Sequence, residues 1–321
     1  MSEISSMTLE QWRREWRNRI QTLSETVWEG RARKQALADW LEGFSGQSCS
    51  ADAEQTYALF LLQQFIYFGQ AEIEALLYAL FRDHVLYPKI QGLLDVDPRM
   101  NENVLREELQ RQVYKLRIVP VGGVSESATM LTYRLAKVAK LPPKLIQSMA
   151  DVAGKVRARK STVEHVIMID DFVGTGRQVS KKHGKDVALL RRRGVRVDYV
   201  TLVAMEEGME SLEKLDIFDR IAAGVLLDRS YNIQEAGSHF LEQLQHHKPH
   251  SSAECLKCVQ HYGALLDTEH PLGFNDSGAM VGFSHNTPNN TLPIFWKRMS
   301  RGALKWRPLF ERSAKQLVFK A

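Results

Sequence analysis

Residues Val166–Gln178 read VIMIDDFVGTGRQ. Four apolar residues, Val166–Ile169, lead into the adjacent carboxylates Asp170 and Asp171, then Phe172-Val173, then Gly174-Thr175-Gly176. A short apolar run bounded by turn residues is a buried strand. The segment that follows, RQVSKKHGKDVALLRRRG, carries helical periodicity and closes at Gly194. Strand, glycine turn and helix in that order set the two acids at the carboxyl end of a strand. Open parallel sheets bind their ligands beyond those ends.

Successive side chains of a straight strand face opposite sides, and the turn that follows can bring both acids toward one crevice. Carboxylates there can accept hydrogen bonds from sugar hydroxyls, or hold a hard cation directly or through water. Gly174 and Gly176 let the backbone turn tightly against a ligand, and Thr175 adds a hydroxyl. The helix start offers free N–H groups and the positive end of its dipole, a combination that suits phosphate. Acids for a sugar beside amide donors for its phosphate describe a site for a phosphorylated ribose. The plainer alternative is a strand end with solvated acids. The ATPase P-loop is excluded, because Gly184-Lys185 is followed by Asp186, and the glycine spacing does not fit a dinucleotide fingerprint.

Outward from this stretch the pattern repeats. YKLRIVPVGG is a strand ending in Gly122-Gly123, and SESATMLTYRLAKVAK an amphipathic helix before Pro142-Pro143. VRVDYVTLVAM is a further strand, EGMESLEKL a short helix and RIAAGVLLD another strand. Strands alternating with helices predict an α/β fold with a mainly parallel sheet. The first third is helical: Trp12, Trp16, Ile20, Leu23 and Val27 recur at steps of three and four. This stripe reads as core or as an oligomer seam. Thr8 and Gln11 make a capping box, and Ser50 or Asp52 can cap a later helix. Residues 53–68 and 70–87 are predicted as two apolar helices, the second ended by Pro88. The expected division is therefore a helical domain over 1–110 and an α/β domain over 111–321, the latter ending in an irregular C-terminal region rich in Gly, Asn and Pro.

The bulk numbers set the class. The 321 residues are 44% hydrophobic, so the chain can bury a core and is not composed like a disordered one. The charge of +5 sets 43 basic residues against 38 acidic ones, which suits an anionic partner without demanding one. Three cysteines make no disulfide framework and point to a reducing cytoplasm. The start MSEISSMTLEQW lacks the features of a signal peptide. The longest apolar stretch, YALFLLQQFIYF, is interrupted by Gln63 and Gln64 and is shorter than the ~20 residues that cross a bilayer. No membrane association is expected.

With these motifs in view, Val166–Gly176 resembles the PRPP (phosphoribosyl pyrophosphate) loop of type I phosphoribosyltransferases. Arg177 and Gln178 stand where that family has its second glycine and last threonine. FLLQQFIYFG, PVGGVSESATMLTYR, VIMIDDFVGTG, GVLLDRSYN and HNTPNNTLPIFW together are similar to the phosphoribosyltransferase-like effectors of bacterial anti-phage conflict systems, some of which accompany retrons. The resemblance implies a phosphoribosyltransferase-type sheet, a C-terminal hood over the base, a role in antiviral defence, and PRPP as probable substrate with Mg2+ on Asp170 and Asp171. It gives Asp170 and Asp171 the catalytic part. Gly122, Gly123, Ser125 and Ser127 would hold the leaving pyrophosphate, and Gly174, Thr175, Gly176, Arg177 and Gln178 the 5′-phosphate. Ser125 also reads as a helix N-cap with Glu126 in the first turn. A defence-system protein, a nucleic acid or a second copy of the chain are the partners to expect. A non-catalytic module sensing a nucleotide or a nucleic-acid end is the alternative.

Three other groups have two readings each. Asn286, Asn289 and Asn290, with His285, can reach a base or ribose on which Trp296 stacks, or they can be turn residues. Cys255 and Cys258 lie near His246, His247, His250 and His261, a zinc pattern, or they share a buried helix face with Tyr262. Arg191–Arg193 form a basic helix C-terminus, a solvated cap or a nucleic-acid contact.

Overall fold

Thr8 opens the first helix, α1 (Leu9–Thr26), as the sequence predicts. Its hydroxyl accepts from the Gln11 amide and the Gln11 side chain accepts from the Thr8 amide, completing the capping box. The computed structural model describes residues 7–122, 127–245, 251–301 and 304–312. Trp12, Trp16 and Ile20 are buried, with the two indoles stacked 5.5 Å apart and Trp16 against Phe60. Val27 lies past the helix end and is exposed. Helices α2 (Lys34–Leu41) and α3 (Ala51–Leu62) follow, α3 capped by the Ser50 hydroxyl.

Here the structure departs from the expected helix over 53–68. Helix α3 stops at Leu62, and Ile66–Phe68 form strand β1. Apolar composition alone does not separate a buried helix from a buried strand. The deciding partner is more than two hundred residues away: β1 pairs in parallel with Val281–Phe283, inside the predicted AMVGF strand. The next helix, α4 (Gln70–Phe81), passes through a π turn at Arg82–Leu86 into α5 (Tyr87–Val96). Pro88 does not end the helix; it stands in the first turn of α5, where an amide hydrogen is least missed. Asn101 caps α6 (Glu102–Tyr114).

The α/β core then follows in order: β2 (Leu116–Pro120), α7 (Ser127–Val138), α8 (Met149–Arg157), β3 (His165–Val173), α9 (Arg177–Arg192), β4 (Arg196–Met205), α10 (Glu206–Leu215) and β5 (Arg220–Leu227). The four strands form one parallel sheet ordered β2-β3-β4-β5, the mainly parallel α/β sheet expected. Val119, Val166, Met168, Val197 and Tyr199 from the strands pack with Val187 and Leu190 of α9. At the basic end of α9, Arg192 donates to the Ala188 carbonyl of its own helix, while Arg191 donates to the Asp216 carbonyl that follows α10 and pairs with Asp219 at 3.3 Å.

The remainder comprises α11 (His239–Gln245), α12 (Ser252–Leu266), β6 (Val281–Phe283), α13 (Pro293–Trp296), β7 (Met299–Arg301) and β8 (Leu304–Trp306). The described residues within Met1–Gln70 and Asp228–Ala314 form one compact unit, and those within Ala71–Leu227 another. The units thus differ from a division at 110/111. Helices α4 to α6 belong with the sheet, while the C-terminal segment shares its core with the first three helices. Trp28, Trp40, Phe44, Phe65, Tyr262, Phe295, Trp306 and Phe310 lie in that shared core. Sequence order does not reveal this, because β1 and β6 meet only once the chain has returned. The same unit holds a carboxylate that sequence reading misses. Glu54 is buried and accepts from the amides of Gly46 (2.6 Å), Ser48 (2.5 Å) and Cys49 (3.1 Å) and from the Tyr262 hydroxyl (2.5 Å). Among the described residues, no helix is long and apolar enough to cross a membrane.

Candidate functional site

Strand β3 continues beyond the two acids to Val173, since β4 runs alongside and pairs Phe172 with Val203 and Val173 with Ala204. Asp170 and Asp171 therefore sit within the last turn-ward residues of the strand, both half-buried. Asp170 Oδ1 accepts from the Asp171 amide at 3.0 Å, and Asp171 Oδ1 from the Phe172 amide at 2.9 Å. The buried Tyr199 hydroxyl of β4 donates to Asp170 Oδ2 at 2.8 Å. Burial and the adjacent Asp171 charge push the Asp170 pKa up to about 8, against the pull of the Tyr199 hydroxyl and the Asp171 amide. No ion pair to Asp170 forms among the described residues. A carboxylate in such surroundings gains most from a cation or a hydroxyl-bearing ligand placed before it.

The glycine turn follows directly. Gly174, Thr175 and Gly176 are half-buried, and Gly176 has φ +69°, the left-handed region that glycine enters freely. Gly176 is the N-cap of α9 and has no side chain with which to cap it, and among the described residues no side-chain bond to the helix's first amides is seen. The first amides of a sixteen-residue helix are thus left to the turn. Arg177 and Gln178, its first residues, are exposed, and the turn is backed by α10. A Cβ on Gly208 would lie 2.7 Å from the Gly174 carbonyl oxygen and 2.7 Å from Val173 Cγ1. Glycine at that position is what lets the loop lie this close.

The second loop leaves the sheet beside the first. Pro120 is in register with Ile169, and the Val121 amide donates to the Ile169 carbonyl at 3.0 Å, which carries the chain into Gly122 beside the two acids. Buried His183 of α9 donates its Nε2–H to the Val121 carbonyl at 2.9 Å; a carbonyl can only accept, which sets the tautomer. One imidazole so ties the helix after the glycine turn to the strand before Gly122. Gly123, Ser125 and the Ser127 side chain lie outside the described residues. Asp170, Asp171, Gly122 and Gly174–Gln178 are accordingly gathered at one edge of the sheet. Tyr199, Gly208 and His183 join them unpredicted. Tyr199 carried a signal, as a polar-tipped aromatic in an otherwise aliphatic strand. Gly208 and His183 are explicable only from the packed structure.

The asparagines belong to the other unit. Asn290 is buried and its amide donates to the Phe274 carbonyl (3.3 Å) and the Ser277 hydroxyl (2.6 Å), the bonding of a turn residue. Asn286 and Asn289 are half-buried. Trp296 is buried with its indole N–H donated to the Thr291 carbonyl at 2.7 Å. Cys255 and Cys258 are buried on α12 with Tyr262, and burial raises both thiol pKa values. His246, His247 and His250 lie outside the described residues; among the described ones no group of three or more His, Cys, Asp or Glu is placed to hold a metal.

A four-stranded parallel sheet, with paired acids and the start of a helix at the carboxyl ends of its strands, defines an α/β protein of the open-sheet kind. The PRTase-CE family model, phosphoribosyltransferase-like and of the conflict effector kind, matches residues 37–312, and the chain belongs to that family. It is a phosphoribosyltransferase-like effector. No curated protein matches it.

Proposed function

We propose that this edge binds PRPP or a closely related phosphorylated ribose and acts at its anomeric carbon, in the service of antiviral defence. The observation that carries the reading is the pairing of Asp170 and Asp171 at the end of β3 with the uncapped start of α9 behind Gly176. The acids would accept from the ribose hydroxyls, and the amides at Thr175–Gln178 would anchor the 5′-phosphate. That anchoring supplies orientation, so the anomeric carbon is presented in one pose. Departure of the leaving group builds positive charge on the ribose ring, and the carboxylates favour it electrostatically. The loop beginning at Gly122 would take the leaving pyrophosphate.

Mg2+ fits this donor set. A carboxyl whose proton is held by burial and by a second carboxylate is relieved by a divalent cation. Asp170 and Asp171 would hold it, and when bound it neutralises charge on the diphosphate. Tyr199 then keeps Asp170 oriented by its hydrogen bond.

The test incubates pure protein with PRPP, Mg2+ and a panel of nucleobases and nucleotides, and measures pyrophosphate release and ribose transfer. Turnover that disappears in an Asp170→Asn, Asp171→Asn double variant of normal fold supports the reading. Ligand binding and defence left intact by that double variant would sink it. A second reading is favoured by exposed Arg177 and Gln178, which depart from the PRPP loop pattern. In it the pocket binds a nucleotide or nucleic-acid end without turnover, and tight binding with no pyrophosphate released would select it.

A further inference from the structure

In the unit formed by the N-terminal helices and the C-terminal segment, a cavity of about 120 Å³ opens between the segment joining α1 to α2, strand β1 and the turn that follows β6. Arg31, Tyr67, Ser284, His285, Asn286 and Glu311 supply its polar lining. That volume holds several waters or one small oxyanion, and is well below the ~300 Å³ at which pockets for drug-sized ligands begin.

The charges in and around it do not cancel. Arg31 donates to the Ser284 carbonyl at 2.6 Å, and among the described residues no carboxylate lies within ion-pairing distance of it. Glu311, the acid in the lining, is held by both forks of Arg298 at 2.6 and 3.1 Å, so its charge is answered outside the cavity. Glu29 is engaged by the Tyr67 hydroxyl (2.9 Å) and the Gln70 amide (2.9 Å). The Tyr67 pKa is pushed up to about 12 by burial and by Glu29, while Arg31 pulls it down, which sets the guanidinium beside the phenol. The Ser284 hydroxyl is buried with no hydrogen-bond partner among the described residues. Buried polar groups are seldom left so unless water or a ligand completes them.

We infer that this cavity is a binding site for a small phosphate-class oxyanion, held by the Arg31 guanidinium and the Ser284 hydroxyl. A planar guanidinium fork matches such oxygens in pairs. This site lies in the other compact unit from Asp170 and does not depend on what binds there. The oxyanion can be free inorganic phosphate or the phosphate of a monoester, and both present the same chemistry to Arg31.

The test titrates the full chain with inorganic phosphate and, separately, with ribose 5-phosphate, reading heat and the rise in melting temperature. The comparison is between wild type, Arg31→Gln and Arg31→Lys. An oxyanion on the glycine turn behind Asp170 is untouched by these substitutions, so the difference reports the cavity alone. Arg31→Gln should weaken binding at least tenfold, about 1.4 kcal/mol, with Arg31→Lys in between. Loss for both ligands supports the site, and loss for one alone supports it and identifies the source. Equal binding by wild type and Arg31→Gln, or no saturable phosphate effect on the wild-type melt, overturns it. Arg31 is exposed, so the unliganded melting temperature of the variants should stay near wild type.

Discussion

Replacing Asp170 by Asn should remove a pH-dependent weakness at the edge of the sheet. Burial and the Asp171 charge raise the Asp170 pKa from 3.8 to about 8 in the folded chain, whereas the unfolded chain keeps it near ~3.9. Between those values the folded state binds more protons than the unfolded one, so stability is full below ~4 and is lost as pH climbs toward ~8. Each pH unit in that window removes at most ~1.4 kcal/mol. Solvent reaches the half-buried carboxyl, so screening reduces the whole effect to about 1–3 kcal/mol. Asparagine has the same shape, can keep the Tyr199 contact and carries no charge. Asp170→Asn should therefore melt close to wild type at pH 4.5 and higher by about 2–10 °C at pH 8.5, without Mg2+. Circular dichroism melts across that range, taken as variant minus wild type, cancel every other titrating group. Two curves that stay parallel from pH 4.5 to 8.5 would refute the claim that Asp170 is held protonated by its surroundings.

Further outcomes follow from neighbouring geometry. Mg2+ at millimolar concentration should raise the melting temperature of the wild type at pH 8 and not that of the Asp170→Asn, Asp171→Asn variant, with chelation reversing the gain; equal gains would place the ion elsewhere. Gly208→Ala sets a methyl 2.7 Å from the Gly174 carbonyl and should cost about 1–3 kcal/mol while weakening PRPP binding by displacing the turn; denaturant titration and calorimetry measure both. Burial raises the Glu54 pKa, but the Tyr262 hydroxyl and three backbone amides outweigh it and the net direction is down. Glu54 thus stabilises above its ordinary value of 4.5, and that stability is lost as pH falls through the lowered folded value; Glu54→Gln should cost about 1–3 kcal/mol at pH 7 and flatten the acid limb of the stability curve.

How much was readable from residues alone depended on how local the cause was. The capping box of Thr8 and Gln11, the strand into Asp170-Asp171 and the helix after Gly176 are written within a few residues, and the structure has them where the sequence predicts. Strand β1 was not readable, because Ile66–Phe68 become a strand only through pairing with Val281–Phe283. The same holds for the compact units, since no local signal says that the C-terminal segment returns to the first three helices. Pro88 shows the opposite failure: a strong local breaker is harmless once a π turn shifts it into a helix's first turn. At the site, the acids and glycines stood out because their types are unusual at a strand end. Tyr199, His183 and Gly208 act through partners 29, 62 and 34 residues away, and their importance lies in those distances.

The departure at Arg177 and Gln178 bears on function through the same local-versus-distant distinction. Phosphate recognition at a helix start relies on backbone amides, and these depend on the turn's conformation rather than on side-chain identity. Gly176 supplies the one left-handed residue the turn needs, and Gly208 supplies the space behind it. Both Arg177 and Gln178 are exposed and follow the N-cap. On the proposed reading their side chains would alter which phosphate esters approach, with Arg177 adding a positive charge, while the amide donors stay in the helix's first turn. Replacing Arg177 by Gly should therefore change affinity and its salt dependence modestly, by about one charge, and leave the pH-dependent behaviour of Asp170 as it is. A large change in the Asp170 pH profile on that substitution would mean that Arg177, rather than burial and Asp171, governs the acid pair.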